Sequence, residues 1–80
     1  MTKIELRLYG DLLGYINEVK IGEAKIMEVD EGFTIGDLMK DLNMPRDIVK
    51  IILVNGRSKG LEYKLNANDR VALFPPVAGG

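Results

Sequence analysis

Thr34-Ile35-Gly36-Asp37-Leu38-Met39-Lys40-Asp41-Leu42, running on into Asn43-Met44-Pro45, decides how this 80-residue chain is read. Ile35, Leu38, Met39 and Leu42 recur at i, i+3, i+4 and i+7, which draws one apolar stripe along a helix. Thr34 followed three positions later by Asp37 approximates a capping box and puts a carboxylate in the first turn, where the helix dipole favours it. Pro45 cannot continue the ladder, so the helix is predicted to end near Asn43 or Met44. Gly36 in the first turn weakens the pattern slightly. On either side of this stretch the period changes from helical to alternating.

Upstream, Lys3 to Tyr9 alternates, with Ile4, Leu6 and Leu8 on one face and Lys3, Glu5, Arg7 and Tyr9 on the other, as in a half-buried strand. A second strand is predicted near Lys25 to Asp30, with Met27 and Val29 opposite Ile26 and Glu28. The Asp11–Glu23 connection is long for a hairpin, and the sequence leaves open whether Val19 and Ile21 extend a strand or pack locally. Downstream, Ile51-Ile52-Leu53-Val54 is a continuous apolar run that suggests a central strand buried on both faces. Asn55-Gly56 is a strong turn pair because both residues tolerate positive φ. Tyr63-Lys64-Leu65 reads as a short strand, Asn66-Ala67-Asn68-Asp69 as a turn, and Arg70-Val71-Ala72-Leu73-Phe74 as the last strand. Met27, Met39 and Met44 are read as core filler.

The order is β-β-α-β-β-β. A right-handed crossover through the helix puts the first and last strands side by side and parallel. The expected class is therefore α+β with a β-grasp arrangement: a mixed sheet of four to five strands with one main helix packed across one face. The expected body is residues 1–74, and residues 75–80 form an extended tail.

Composition narrows the function. Eighty residues leave room for one small domain, which buries only about 60% of its unfolded surface. There is no cysteine and no histidine, and Ser58 is the single serine. A thiolate nucleophile, a sulfur-ligand zinc site and a serine triad therefore cannot be assembled within the chain. Eleven basic against twelve acidic side chains give a net charge of −1, without the basic excess of a nucleic-acid binder. No apolar run approaches the roughly 20 residues of a membrane span, and no signal-peptide core is present at the N-terminus. A cytoplasmic protein is expected, without nucleic acid or membrane as a partner. Asp37 and Asp41 stand one helical turn apart, but surface solvation accounts for them and no metal site is assigned.

After Phe74 the pattern changes to Pro75-Pro76-Val77-Ala78-Gly79-Gly80. Two prolines favour an extended polyproline path, along which six residues reach on the order of 20 Å at about 3.1 Å per residue. Side-chain bulk falls from proline through valine and alanine to glycine, a taper that lets a backbone carboxylate thread a narrow channel in another protein. This FPPVAGG ending, together with the opening strand, the Thr34 helix start, Val54-Asn55-Gly56 and the stretch from Leu65 onward, resembles the ubiquitin-like sulfur carriers. Within that family the likeness is nearest to the small subunit of molybdopterin synthase, and extends to the thiamine-biosynthesis carrier. Where the family commonly has Gly-Asp before the final strand, this chain has Asn68-Asp69, and asparagine also tolerates the left-handed turn.

The resemblance implies a non-enzymatic carrier whose terminal glycine, Gly80, is adenylated by an E1-like adenylyltransferase using ATP. The product is converted to a thiocarboxylate, whose sulfur passes to a biosynthetic intermediate in molybdopterin synthesis. No bound cofactor is implied. Gly79, Ala78, Val77, Pro76 and Pro75 would thread the tail into the active site of a larger molybdopterin synthase subunit or another sulfur-accepting enzyme. Phe74 and Leu61, with Arg57, Lys59, Lys64 and Arg70, are candidates for a partner surface, against a buried aromatic and a solvated loop as the plain alternatives. Two other outcomes remain for the tail: conjugation to lysines of other proteins, and a non-covalent interaction domain with an incidental ending.

Overall fold

In the computed structural model, which describes residues 1–15 and 23–76, the opening alternation becomes strand β1, Thr2–Leu8. β2, Lys25–Val29, lies antiparallel to it with Ile4 opposite Met27 and Glu5 opposite Ile26. Helix α1 spans Ile35–Asp41, and β3, Ile51–Val54, β4, Arg57–Ser58, and β5, Arg70–Phe74, follow. The five strands form one sheet in the order β2-β1-β5-β3-β4. β5 is parallel to β1, with Leu6 beside Val71 and Leu8 beside Leu73, and antiparallel to β3. This is the expected β-grasp: a mixed sheet with one main helix. The connection after β1 begins as a 3-10 segment, Gly10–Tyr15, that buries Leu12; Val19 and Ile21 lie outside the described residues.

The core is the inner face of the sheet and the helix stripe. Ile4, Leu6 and Leu8 of β1, Val71 and Leu73 of β5 and Val54 of β3 are buried with Ile35, Leu38 and Met39 of α1. Leu12, Val29, Met44 and Leu65 close its margins, and Met27 packs against it. β3 differs from expectation. Ile51 is 44% exposed, because the one helix covers one face and the outward residues of β3 stand on the other. β1 and β5, side by side at the middle of the sheet, bury more of their inward residues than β3 does.

Both helix ends are closed by named groups. Thr34 Oγ1 accepts from the Asp37 N–H (3.1 Å), and the Asp37 carboxylate accepts from the Thr34 N–H (3.0 Å), the reciprocal capping box. The intervening donors, Ile35 N–H and Gly36 N–H, go to the carbonyls of Tyr63 and Leu61. Every N–H of the first turn therefore has a partner. At the other end Asn43 takes φ +57, its N–H donates to Lys40 O, and the Met44 N–H donates to Met39 O. That is a Schellman closure with asparagine in the glycine position, and it ends α1 two residues earlier than Pro45 alone would require.

The same bonds explain why Tyr63-Lys64-Leu65 is not a strand. Its Tyr63 carbonyl, and that of neighbouring Leu61, serve the helix N-terminus, and only one bridge, Thr34 to Lys64, survives of the expected pairing. The short β4 at Arg57–Ser58 fills the fourth strand instead, turned back by Asn55 (φ +54) and Gly56 (φ +83). At Gly36 the two backbones run close: its N–H donates to Leu61 O, and a Cβ there would meet that oxygen at 3.4 Å, about ordinary contact.

Replacing Thr34 by alanine should cost about 1 kcal/mol, measured by denaturant unfolding. The hydrogen bonds from the Thr34 backbone and hydroxyl, helped by Lys40, hold the Asp37 carboxyl below its ordinary value of 3.8. A carboxyl lowered in the fold stabilises above its unfolded value and loses that contribution as pH falls through the folded one. The melting temperature of wild type should therefore exceed that of Asp37→Ala fully above about pH 5, with the gap shrinking below about pH 4.

Candidate functional site at the open sheet face and the tail root

The face of the sheet away from α1 is built by strand alternation. Register places Arg7 beside Ala72 and Glu5 beside Arg70, and Ile51 and Leu53 opposite Phe74 and Ala72. Just beyond β1, the Tyr9 ring stacks on Phe74 with centroids 4.5 Å apart and planes within 7°. Offset or parallel aromatic contact of this kind adds to simple area burial. Arg7, Tyr9, Leu53, Arg70, Ala72 and Phe74 line a shallow depression of about 280 Å³ on this face. The result is an apolar and aromatic centre flanked by charge, which is the make-up of a protein-docking surface.

A polar network fixes where β5 begins. Asp69, only 5% exposed, accepts from Asn55 Nδ2 (2.9 Å), Tyr63 OH (3.0 Å) and the Asn66 N–H (2.9 Å). Asn55 Oδ1 in turn accepts from the Arg70 N–H at 2.9 Å. Asn68 takes φ +68 as its residue type allows, and its N–H donates to Lys3 O. The β3–β4 turn, the 66–69 turn and the first residue of β5 are thus held as one unit.

At the far end of β5 the tail root is held on both sides. The Tyr9 N–H donates to Leu73 O (3.2 Å) and the Lys50 N–H to Phe74 O (2.8 Å). Pro75 is half-buried and Pro76 exposed, beside a cleft lined by Asp11, Leu12, Tyr15, Asp47 and Ile48. Val77, Ala78, Gly79 and Gly80 lie outside the described residues.

The other candidates are not gathered into one surface. Phe74 and Arg70 sit on the open face, whereas half-buried Leu61 packs beside the helix N-terminus in a groove with Gly36, Met39 and Met44. Arg57 pairs with inward-facing Val54 and so belongs to the opposite face from Arg70. Lys59 Nζ lies 5.2 Å from the centre of the Tyr63 ring, and Lys64 is at the bridge to Thr34. Sequence reasoning missed Tyr9, Ile51, Leu53 and Ala72 as members of the site. Their alternation was readable, but which of them become neighbours depends on strand register. Asp37 is occupied in the capping box, and the described residues contain no cluster of three metal-ligating side chains.

Residues 1–79 match the family model described as Mut7-C ubiquitin. The chain belongs to the Mut7-C ubiquitin family. Small archaeal modifier protein 1 of Haloferax volcanii is similar in structure, with a TM-score of 0.74 and 25% identity over 96% of this chain and 100% of that one. A Pyrococcus furiosus protein assigned as molybdopterin converting factor subunit 1 gives a TM-score of 0.75 at 21% identity, covering 96% of this chain and 100% of that one. Subunit 1 of molybdopterin-converting factor from Helicobacter pylori, in a complex with subunit 2, gives 0.61 at 22% identity over 99% of this chain and 100% of that one. No curated protein matches the sequence significantly. The likeness to the ubiquitin-like sulfur-carrier family, read first from the tail and strand order, is upheld at the level of family and fold. Among the described residues no helix is long and apolar enough to cross a membrane.

Asp69→Ala should destabilise the domain by about 3 kcal/mol, since three donors lose a buried charged acceptor. Equilibrium unfolding in urea measures it. A loss below about 0.5 kcal/mol would show that the network does not hold the start of β5.

Proposed function

We propose that this protein is a sulfur carrier, itself without catalytic activity, whose reactive group is the Gly80 carboxylate. The observation that carries the reading is that the tapering Pro75–Gly80 segment follows directly on a strand whose end is anchored beside an apolar docking face. A carboxylate with an ordinary pKa of about 3.5 is an anion at pH 7 and a poor electrophile. On an E1-like adenylyltransferase the Gly80 carboxylate would attack the α-phosphorus of ATP, forming the mixed anhydride of Gly80 with AMP and releasing pyrophosphate. A hydrosulfide-equivalent nucleophile then adds to the carbonyl carbon, AMP leaves, and a thiocarboxylate remains on Gly80. The carrier holds no cofactor; ATP belongs to the activating enzyme. Glycine at positions 79 and 80 leaves that carbon unhindered and lets the backbone approach a pocket wall.

In this reading the open face around Tyr9, Ile51, Leu53 and Phe74 docks the partner while the tail beyond Pro75 threads its active site. The thiocarboxylate sulfur is passed to an intermediate of molybdopterin synthesis in a larger partner subunit. That step is supported by the likeness in fold to a converting-factor subunit 1 whose structure contains a subunit 2. A second reading keeps the activation and changes the acceptor: a lysine amine attacks the activated Gly80 carbonyl and an isopeptide bond forms. The likeness to an archaeal modifier protein favours it.

Incubation with the cognate activating enzyme, ATP and a sulfide source should add the mass of one sulfur in place of one oxygen. Deletion of Gly80 should abolish that gain without lowering the melting temperature. Transfer by the truncated chain, or an unchanged mass with every sulfur source, would refute the carrier reading. Higher-mass conjugates on denaturing gels that require Gly79 and Gly80 would select the modifier. Ile51→Asp, at an exposed position, should weaken binding of the activating enzyme at least about tenfold while leaving the fold intact.

A further inference from the structure

Gly10 is the one glycine among the described residues that combines a positive φ with a close approach to another residue, and neither the core nor the open face requires it. Its φ is +58, and a Cβ built there would lie 2.9 Å from Pro75 Cγ and 3.5 Å from Pro75 Cδ. The ring of Pro75 therefore rests directly on the Gly10 backbone. One residue earlier on each strand, Tyr9 stacks on Phe74. Beneath both, the Tyr9 N–H holds Leu73 O and, from the other side, the Lys50 N–H holds Phe74 O. These contacts form a two-step ladder, ring on ring and then ring on glycine, that continues the parallel β1–β5 pairing past the point where proline ends its hydrogen bonds.

We infer that Tyr9 and Gly10 are positioning residues for the tail: they clamp its root so that the free arm begins at Pro76 rather than at Phe74. The inference rests on the carrier reading for its purpose but not for its geometry. Proline has no amide hydrogen, so Pro75 cannot extend the ladder as a donor, and glycine at position 10 leaves the surface on which its ring packs. Shortening the free arm at its root reduces the directions in which the carboxylate can point. A reactive group held near its productive geometry reacts faster than one that searches for it, and a misplacement of about 1 Å can cost on the order of 100-fold. Gly10 and Pro75 do not line the open-face depression, so breaking their contact should act on turnover rather than on affinity.

Two variants break the contact from opposite sides. Gly10→Asn keeps a residue that tolerates positive φ but drives a Cβ into the Pro75 ring; Pro75→Ala removes the ring and leaves Gly10 untouched. In wild type, proton NMR should show cross-peaks between Gly10 Hα and Pro75 Hγ, and the Phe74 amide should relax like those of the core strands. Both variants should lose the cross-peaks, and their Phe74 amides should become more mobile than in wild type. With the activating enzyme and ATP, kcat for adenylation should fall at least about tenfold in each, with KM within about twofold of wild type. If Gly10→Asn fails to fold, Pro75→Ala decides alone. Absence of the cross-peaks in wild type, or wild-type kcat in a folded variant that has lost them, overturns the clamp. A wild-type chain that shows the contacts and is never adenylated refutes the carrier reading, and the clamp is then judged by the relaxation data.

Discussion

The parallel pairing of β1 with β5 is the constraint on which the structure depends. Parallel neighbours cannot be joined by a tight turn, so the chain between them must leave the sheet and return. Along that return path lie α1, which crosses the sheet, then β3 and β4, which rejoin it, and the 66–69 turn. The pairing buries Leu6 against Val71 and Leu8 against Leu73 at the centre of the core. It also brings the end of the first strand to the end of the last. Tyr9 and Gly10 meet Phe74 and Pro75 only because of it.

The return path is economical in polar groups. The segment through Leu61 and Tyr63 gives its carbonyls to the first turn of α1, and the capping box takes the remaining donors. The Asp69 carboxylate gathers Asn55, Tyr63 and Asn66 and so ties the hairpin to the start of β5. Among the described residues no buried side-chain polar atom lacks a hydrogen-bond partner. For a domain this small such satisfaction matters, because each orphaned buried group costs a sizeable part of the total stability.

One helix covers one face of the sheet, and the other face stays open. That division separates a structural side, with α1 and its caps, from an open side with Tyr9, Ile51, Leu53 and Phe74, which the proposed function uses for docking. The tail root lies at the end of that open side. In the proposed carrier reading the backbone terminus is the reactive group, so no side-chain nucleophile is needed and the body serves to bind and to aim; the sequence has neither cysteine nor histidine.

Much of this was legible in local chemistry. The Thr34–Asp37 box, the Ile35–Leu42 stripe, the β1 alternation, the Asn55-Gly56 turn and the Pro-Pro-Val-Ala-Gly-Gly ending each follow from residues a few positions apart, where sequence spacing is spatial spacing. Ile51–Val54 misled because an apolar run does not reveal how many layers cover it; here one face meets the core and the other stays open. Tyr63–Leu65 misled because its backbone had two acceptable partners, a strand or a helix N-terminus, and long-range packing chose the second. The seating of Pro75 on Gly10, the Tyr9–Phe74 stack and the separation of Leu61 from Phe74 were likewise set by the tertiary structure alone. Each joins residues far apart in the chain, and only tertiary packing, with the register of β5 against β1 and β3, decides which of them touch.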